Sequence, residues 1–66
     1  MTLKEFRKCF DYSSVPINLI VLALDGTNIK IQYDDYDLFK EQEDFNNYHI
    51  VSFMASKYFF DIFVKQ

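Results

Sequence analysis

The sequence predicts an α+β domain: an N-terminal helix packed on a small antiparallel sheet of three or four strands, in the order α-β-β-(short α)-β-β. Three observations carry that prediction. A capping pattern at Thr2 and Glu5 opens a run of apolar residues at helical spacing. Asp25-Gly26 lies between two apolar runs, a strong hairpin signal because the tight turn needs φ > 0. The stretches Asn28 to Tyr33 and Tyr58 to Val64 alternate in the manner of strands.

Thr2-Leu3-Lys4-Glu5 places a hydroxyl at the N-cap and a carboxylate three residues on. Each satisfies a backbone N–H that the helix start leaves free. Leu3, Phe6 and Phe10 follow at helical spacing, which puts Lys4, Glu5, Arg7 and Lys8 on the solvent side. Residues 3–10 are therefore read as a short amphipathic helix. Arg7 and Lys8 near its end suit the macrodipole, and Ser13, Ser14 and Pro16 end it.

Ile17 to Leu24 reads as a strand with Ile17, Leu19, Val21 and Ala23 on one side and Ile20, Leu22 and Leu24 on the other. In the next strand Ile29, Ile31 and Tyr33 point one way, while Asn28, Lys30 and Gln32 point the other. Beyond it, Leu38, Phe39, Gln42 and Phe45 fit one side of a short helix with Asp37 as its N-cap; a long loop is the competing reading. Asn46-Asn47 marks a break. Tyr48 to Met54 and Tyr58 to Val64 close the chain as two strands around Ala55, Ser56 and Lys57. Tyr58, Phe60, Ile62 and Val64 face one side and Phe59, Asp61 and Phe63 the other, and Phe60 is expected among the most buried side chains, with Ile62 close by.

Sixty-six residues make one domain, residues 1–66, with little surface to bury. Cys9 is the only cysteine, so no intrachain disulfide staples it, and one Cys with one His builds no structural zinc site. Eight Phe and five Tyr compensate, since aromatic rings bury the most area per residue. The single cysteine fits a reducing compartment. The charged start is not a signal peptide, and Ile17 to Leu24 is too short to span a bilayer. A cytoplasmic protein is the expectation.

The formal charge of −3 is unevenly spread. Asp34, Asp35, Asp37, Glu41, Glu43 and Asp44 stand against Lys40 alone, for a net −5 in that window. The other residues, six basic and four acidic, net +2. With no basic stripe to neutralise phosphates, direct nucleic-acid binding is not expected. The acidic run has two readings: a solvated face that keeps a small protein soluble, or a binding surface for a larger protein with a basic surface. Tyr33, Tyr36 and Tyr48 bracket the window. Aromatic anchors with a charged rim are what protein interfaces use, although the same rings also serve a small core. The candidate partner-binding residues are Asp34, Asp35, Tyr36, Asp37, Glu41, Glu43 and Asp44.

No catalytic, metal or cofactor constellation is legible. His49 has no nucleophile at a recognisable spacing and reads as structural. Cys9 reads as a buried or half-buried small hydrophobe. Asp35-Tyr36-Asp37 fails as a calcium loop, because Phe39 takes the fifth position and Lys40 stands where glycine must turn the chain. One glycine cannot make a phosphate loop.

The start Thr2-Leu3-Lys4-Glu5-Phe6, the Asp25-Gly26 hairpin and the closing pair of strands resemble small proteins encoded by phages and prophages of Firmicutes. Some small acidic members of that group are anti-CRISPR proteins. The resemblance implies a non-enzymatic inhibitor whose partner is a CRISPR effector, docked through the acidic segment 34–44. A magnitude limits such mimicry. As a helix, residues 34–44 would span about 16 Å. Six carboxylates over that length give one per roughly 2.7 Å, against one charge per about 1.7 Å of duplex DNA. The segment matches a few phosphates, not a long duplex.

The alternative is a structural or self-assembling accessory protein. The first and last strands carry apolar residues on both sides, and one short helix covers only one face. The second face needs residues 36–45 folded over it, or a second molecule; a homodimer or partner-bound form is the expectation.

Overall fold

Helix α1 (Leu3–Cys9) starts as the Thr2–Glu5 spacing dictates. The Thr2 N–H donates to Glu5 Oε1 at 2.9 Å, and the Glu5 N–H donates to Thr2 Oγ1 at 3.3 Å. The computed structural model describes residues 1–10 and 13–66. After α1 come β1 (Ile17–Leu22), β2 (Asn28–Tyr33), α2 (Tyr36–Glu41), β3 (His49–Ala55) and β4 (Phe60–Lys65). This is the α+β order read from the sequence.

The two hairpins are antiparallel, as expected. Gly26 takes φ +91° in the β1–β2 connection, where Asp25 Oδ1 accepts from the Thr27 N–H at 3.0 Å. Strands β3 and β4 pair through a register shift between Ile50 and Ser52. The sheet as a whole is mixed rather than antiparallel. Its order is β2-β1-β4-β3, and the central pair β1·β4 is parallel, with Leu19 opposite Ile62. The reason lies in the connection. Parallel strands need a crossover of roughly a dozen residues or more, and residues 34–48 supply one. They return the chain so that β3 runs in the direction of β2, and each hairpin then turns its inner strand parallel to the other. The strands with apolar residues on both faces, β1 and β4, take the centre. Polar Asn28, Lys30 and Gln32 leave β2 at an edge.

Both helices lie on one face of the sheet. Leu3 of α1 and Phe39 of α2 join Ile17, Leu19, Ile62 and Val64 in a fully buried core. Phe60 is only half-buried. It opens β4 at the rim of the core, where its ring stacks on exposed Phe53 at 5.9 Å and meets Phe10 edge-on at 5.1 Å. Phe39 takes the central place instead, edge-on to Tyr33 and Phe10. Residues 36–45 do not fold over the second face. That face is less apolar than the alternation suggests, because Asn18 and Asp61 are hydrogen-bonded to each other in its middle.

Two placements on α1 differ from the helical reading. Arg7 is buried and Cys9 is exposed. Arg7 is four residues after Leu3, so it shares the core-facing line of the helix; Cys9 falls outside it. Residues at the start of the chain also pair with β3 and the residue before it: the Leu3 N–H donates to the Tyr48 carbonyl and the Ile50 N–H to the Met1 carbonyl, both at 2.8 Å. No helix among the described residues is long and apolar enough to cross a membrane.

Candidate partner-binding surface

The acidic window begins where β2 ends, and its first carboxylates have local roles. Asp35, not Asp37, is the N-cap of α2: its side chain accepts from the Leu38 N–H at 2.9 Å. The helix starts earlier than expected because the Asp35 backbone is extended, at φ −142° and ψ 166°, as a cap requires. Asp37 falls in the first turn, where a carboxylate suits the helix dipole. Asp34 accepts from Gln32 Nε2 at 3.2 Å.

Tyr36 is tied inward. Its hydroxyl donates to the Phe10 carbonyl at 2.8 Å, and its ring stacks on Phe10 at 5.8 Å. The half-buried ring still forms a wall of the surface. Asp34, Asp35 and Asp37 surround it, with Ser13 and Ser14 completing an open concavity of about 380 Å³. No lysine or arginine among the described residues lines it.

The other predicted site residues are placed apart from this corner. Glu41 and Glu43 line a second concavity beside Lys4, Lys8 and Lys40. Asp44 contributes its backbone: Arg7 Nη1 donates to the Asp44 carbonyl at 3.0 Å and to Asn46 Oδ1 at 2.5 Å. These two bonds flank Phe45, whose φ of +61° is left-handed backbone in a bulky residue. The Arg7 side chain thus clamps a strained turn, and its guanidinium also lies 5.0 Å from the Phe39 ring centre. Burial pushes the Arg7 guanidinium below its ordinary range, opposed by neighbouring Tyr33 and Asp44. Burial likewise raises the Tyr33 hydroxyl. Lys40 Nζ donates to the Arg7 carbonyl, joining α2 to α1.

The window is therefore two surfaces: an acidic corner at Asp34, Asp35 and Asp37, with Lys40 Nζ 5.7 Å from the Tyr36 ring that walls it, and a mixed-charge crevice at Glu41 and Glu43. Sequence reasoning missed Arg7 and Lys40 as the groups that divide it. The four-residue spacing of Leu3 and Arg7 was the available signal. Among the described residues no group of three or more His, Cys, Asp or Glu is placed to hold a metal ion. No family model matches the chain, nor does any curated protein or solved structure.

Proposed function

We propose that the domain is a non-enzymatic binding module that docks a protein with a basic surface through the corner formed by Asp34, Asp35, Tyr36 and Asp37. One observation carries this reading. Three exposed carboxylates share a concavity with an aromatic wall, and no lysine or arginine among the described residues lines it; Lys40 Nζ approaches the Tyr36 ring to 5.7 Å from outside that lining. Such a corner accepts a lysine or arginine side chain: the carboxylates meet the charge and the ring meets the apolar stem or the cation itself. Inhibition of a nucleic-acid-binding protein, a CRISPR effector in the phage setting, is the form of this function that the sequence resemblance adds. The corner would then stand in for a few phosphates.

The test is a titration of the protein with an oligoarginine peptide, followed by amide NMR at low and moderate salt. Shifts should cluster at residues 34–37 and weaken as salt screens the charges. Shifts scattered over the whole surface, or centred on Glu41 and Glu43, overturn the assignment.

A second reading is favoured by a separate feature. Strand β3 is a sheet edge whose first residues are bridged by the start of the chain at Thr2 and Met1; beyond them it exposes Val51, Phe53 and Met54, with no Lys, Arg, Asp or Glu in its seven residues. Unprotected apolar edges pair with other strands. Self-association along β3 fits a structural accessory protein. The lone chain already exposes an ordinary area, 4591 Å², against about 4,500 Å² for a monomer of this mass. That comparison ranks self-association second.

A further inference from the structure

Strand β3 forms one edge of the sheet, and part of that edge is already taken. The start of the chain runs antiparallel beside its first residues: Thr2 bridges His49, and the Ile50 N–H donates to the Met1 carbonyl. That cover stops where the register against β4 shifts, between Ile50 and Ser52. From Ser52 to Ala55 the pairing with β4 is regular, and the hairpin closes with the Ser56 N–H on the Phe59 carbonyl at 2.8 Å. Hydrogen-bonded and non-hydrogen-bonded positions alternate along an antiparallel pair. Counting back from Ser56, Met54 and Ser52 spend their backbone groups on β4, whereas Phe53 and Ala55 turn theirs outward. No backbone partner meets Phe53 or Ala55 on that side among the described residues. The side chains are open as well: Phe53 is 60% exposed despite its contacts with Phe6 and Phe60, and Met54 is 59% exposed.

We propose that this edge pairs antiparallel with the same edge of a second copy, about a twofold axis through Met54. The proposal rests on the self-association reading and adds its register. The edge is self-complementary about that residue. Phe53 and Ala55 are symmetric around Met54, so Phe53 of each copy meets Ala55 of the other. Each such pair exchanges two N–H···O bonds, which satisfies the outward backbone groups on both strands. Phe53 and Ala55 share one face of the sheet, so a large ring is set beside a small methyl in both halves. Met54 meets Met54 on the other face, apolar against apolar. A twofold pair sets like residues near each other, where like charges would repel; β3 carries no Lys, Arg, Asp or Glu. Neighbouring axes fit worse. One at Phe53 brings Ser56 of the second copy onto the place that Met1 holds beside Ile50. One at Ala55 leaves Phe53 facing the turn residue Lys57. The opposite sheet edge, β2, carries Asn28, Lys30 and Gln32, so pairing closes at a dimer rather than continuing from edge to edge.

The experiment combines sedimentation equilibrium of the intact chain with disulfide trapping in a Cys9→Ser background. The parent should dimerise as concentration rises. Met54→Cys should then link two copies in a glutathione redox buffer at least tenfold faster than Ser52→Cys. Across the axis two Met54 Cα atoms stand about 4.5 Å apart, within disulfide reach, whereas two Ser52 positions are displaced by roughly 14 Å along the strands. Both residues are exposed, so accessibility does not separate them and neither substitution touches the core. A parent that stays monomeric at the highest concentration overturns the proposal together with the self-association reading. A parent that dimerises while the two cysteine variants link at equal rates overturns the Met54 axis and leaves that reading standing.

Discussion

Asn18 of β1 and Asp61 of β4 face each other in register across the parallel central pair, and Asn18 Nδ2 donates to Asp61 Oδ1 at 2.9 Å. Asn18 is 3% exposed, and its Oδ1 has no hydrogen-bond partner among the described residues. The bond is a polar link between two strands that are apolar apart from it and the terminal Lys65 of β4. A slip of two residues keeps every side chain on its face but sets Asn18 against Phe59 or Phe63. The pair therefore fixes register as well as contributing stability.

Asn18→Ala should destabilise the domain by about 1–3 kcal/mol, because Asp61 loses its partner in a half-buried place. Replacing both residues by Val should recover much of that loss, since removing both partners leaves nothing unsatisfied. Urea unfolding of Asn18→Val, Asp61→Val and the double variant measures the coupling. A coupling near zero would mean that the bond has no energetic role in the pair.

Phe39 is the largest fully buried side chain. Phe39→Ala should cost about 3–5 kcal/mol. That equals the stability that a core of this size commonly supplies, about 3–5 kcal/mol, so the variant should be mostly unfolded by circular dichroism at room temperature. Phe60→Ala should cost less, because that ring is already half in water. Equal losses at the two positions would refute the ranking of the core.

Acid should loosen the start of α1. The Thr2 N–H, then the Thr2 hydroxyl, hold the Glu5 carboxylate below its usual range. The folded state thus favours the charged form more than the unfolded chain does. The stabilisation is complete above the unfolded value, about 4.3, and is lost as pH falls through the lower folded value. Asp25 behaves alike, held down by the Thr27 hydroxyl and then the Thr27 N–H. The Thr2 and Thr27 amide resonances should therefore titrate with midpoints below the ordinary Glu and Asp values, about 4.3 and 3.9. Glu5→Gln should abolish the Thr2 transition and leave that of Thr27.

The two halves of the acidic window should separate in binding. Asp34→Asn with Asp37→Asn should weaken association with oligoarginine, while Glu41→Gln with Glu43→Gln should change it little. Both pairs are exposed, so both variants should unfold in urea much as the parent does. Asp35→Asn retains a good N-cap and adds to the first pair without breaking α2. Equal effects of the two pairs would remove the distinction between corner and crevice.

Sedimentation equilibrium addresses the edge of β3. If self-association uses that edge, the parent should dimerise as concentration rises, and Val51→Lys or Met54→Lys should shift it to monomer by placing charge on the strand. A parent that stays monomeric at the highest concentration eliminates the second reading.

Local features were legible where neighbours in sequence decide the outcome. Thr2 reaches Glu5 within one helical turn, Gly26 meets the turn's need for positive φ, and alternation sorted the side chains of β1 and β4 into their two faces. The candidate site was legible as a charged window but not as two surfaces. Its division depends on Lys4, Arg7 and Lys8, which lie far away in sequence and reach Glu41 and Glu43 only through the packing of α1 on α2.

By itself, then, the sequence determined the elements, their order, the capping box and the apolar faces, because each follows from interactions a few residues long. Only the tertiary structure decided the parallel junction of β1 and β4, the burial of Arg7, and the choice of Phe39 over Phe60 for the core centre. Those outcomes depend on where the crossover of residues 34–48 carries α2. Its path is set by the closing of two hairpins around one shared apolar face, a long-range condition that no local spacing records.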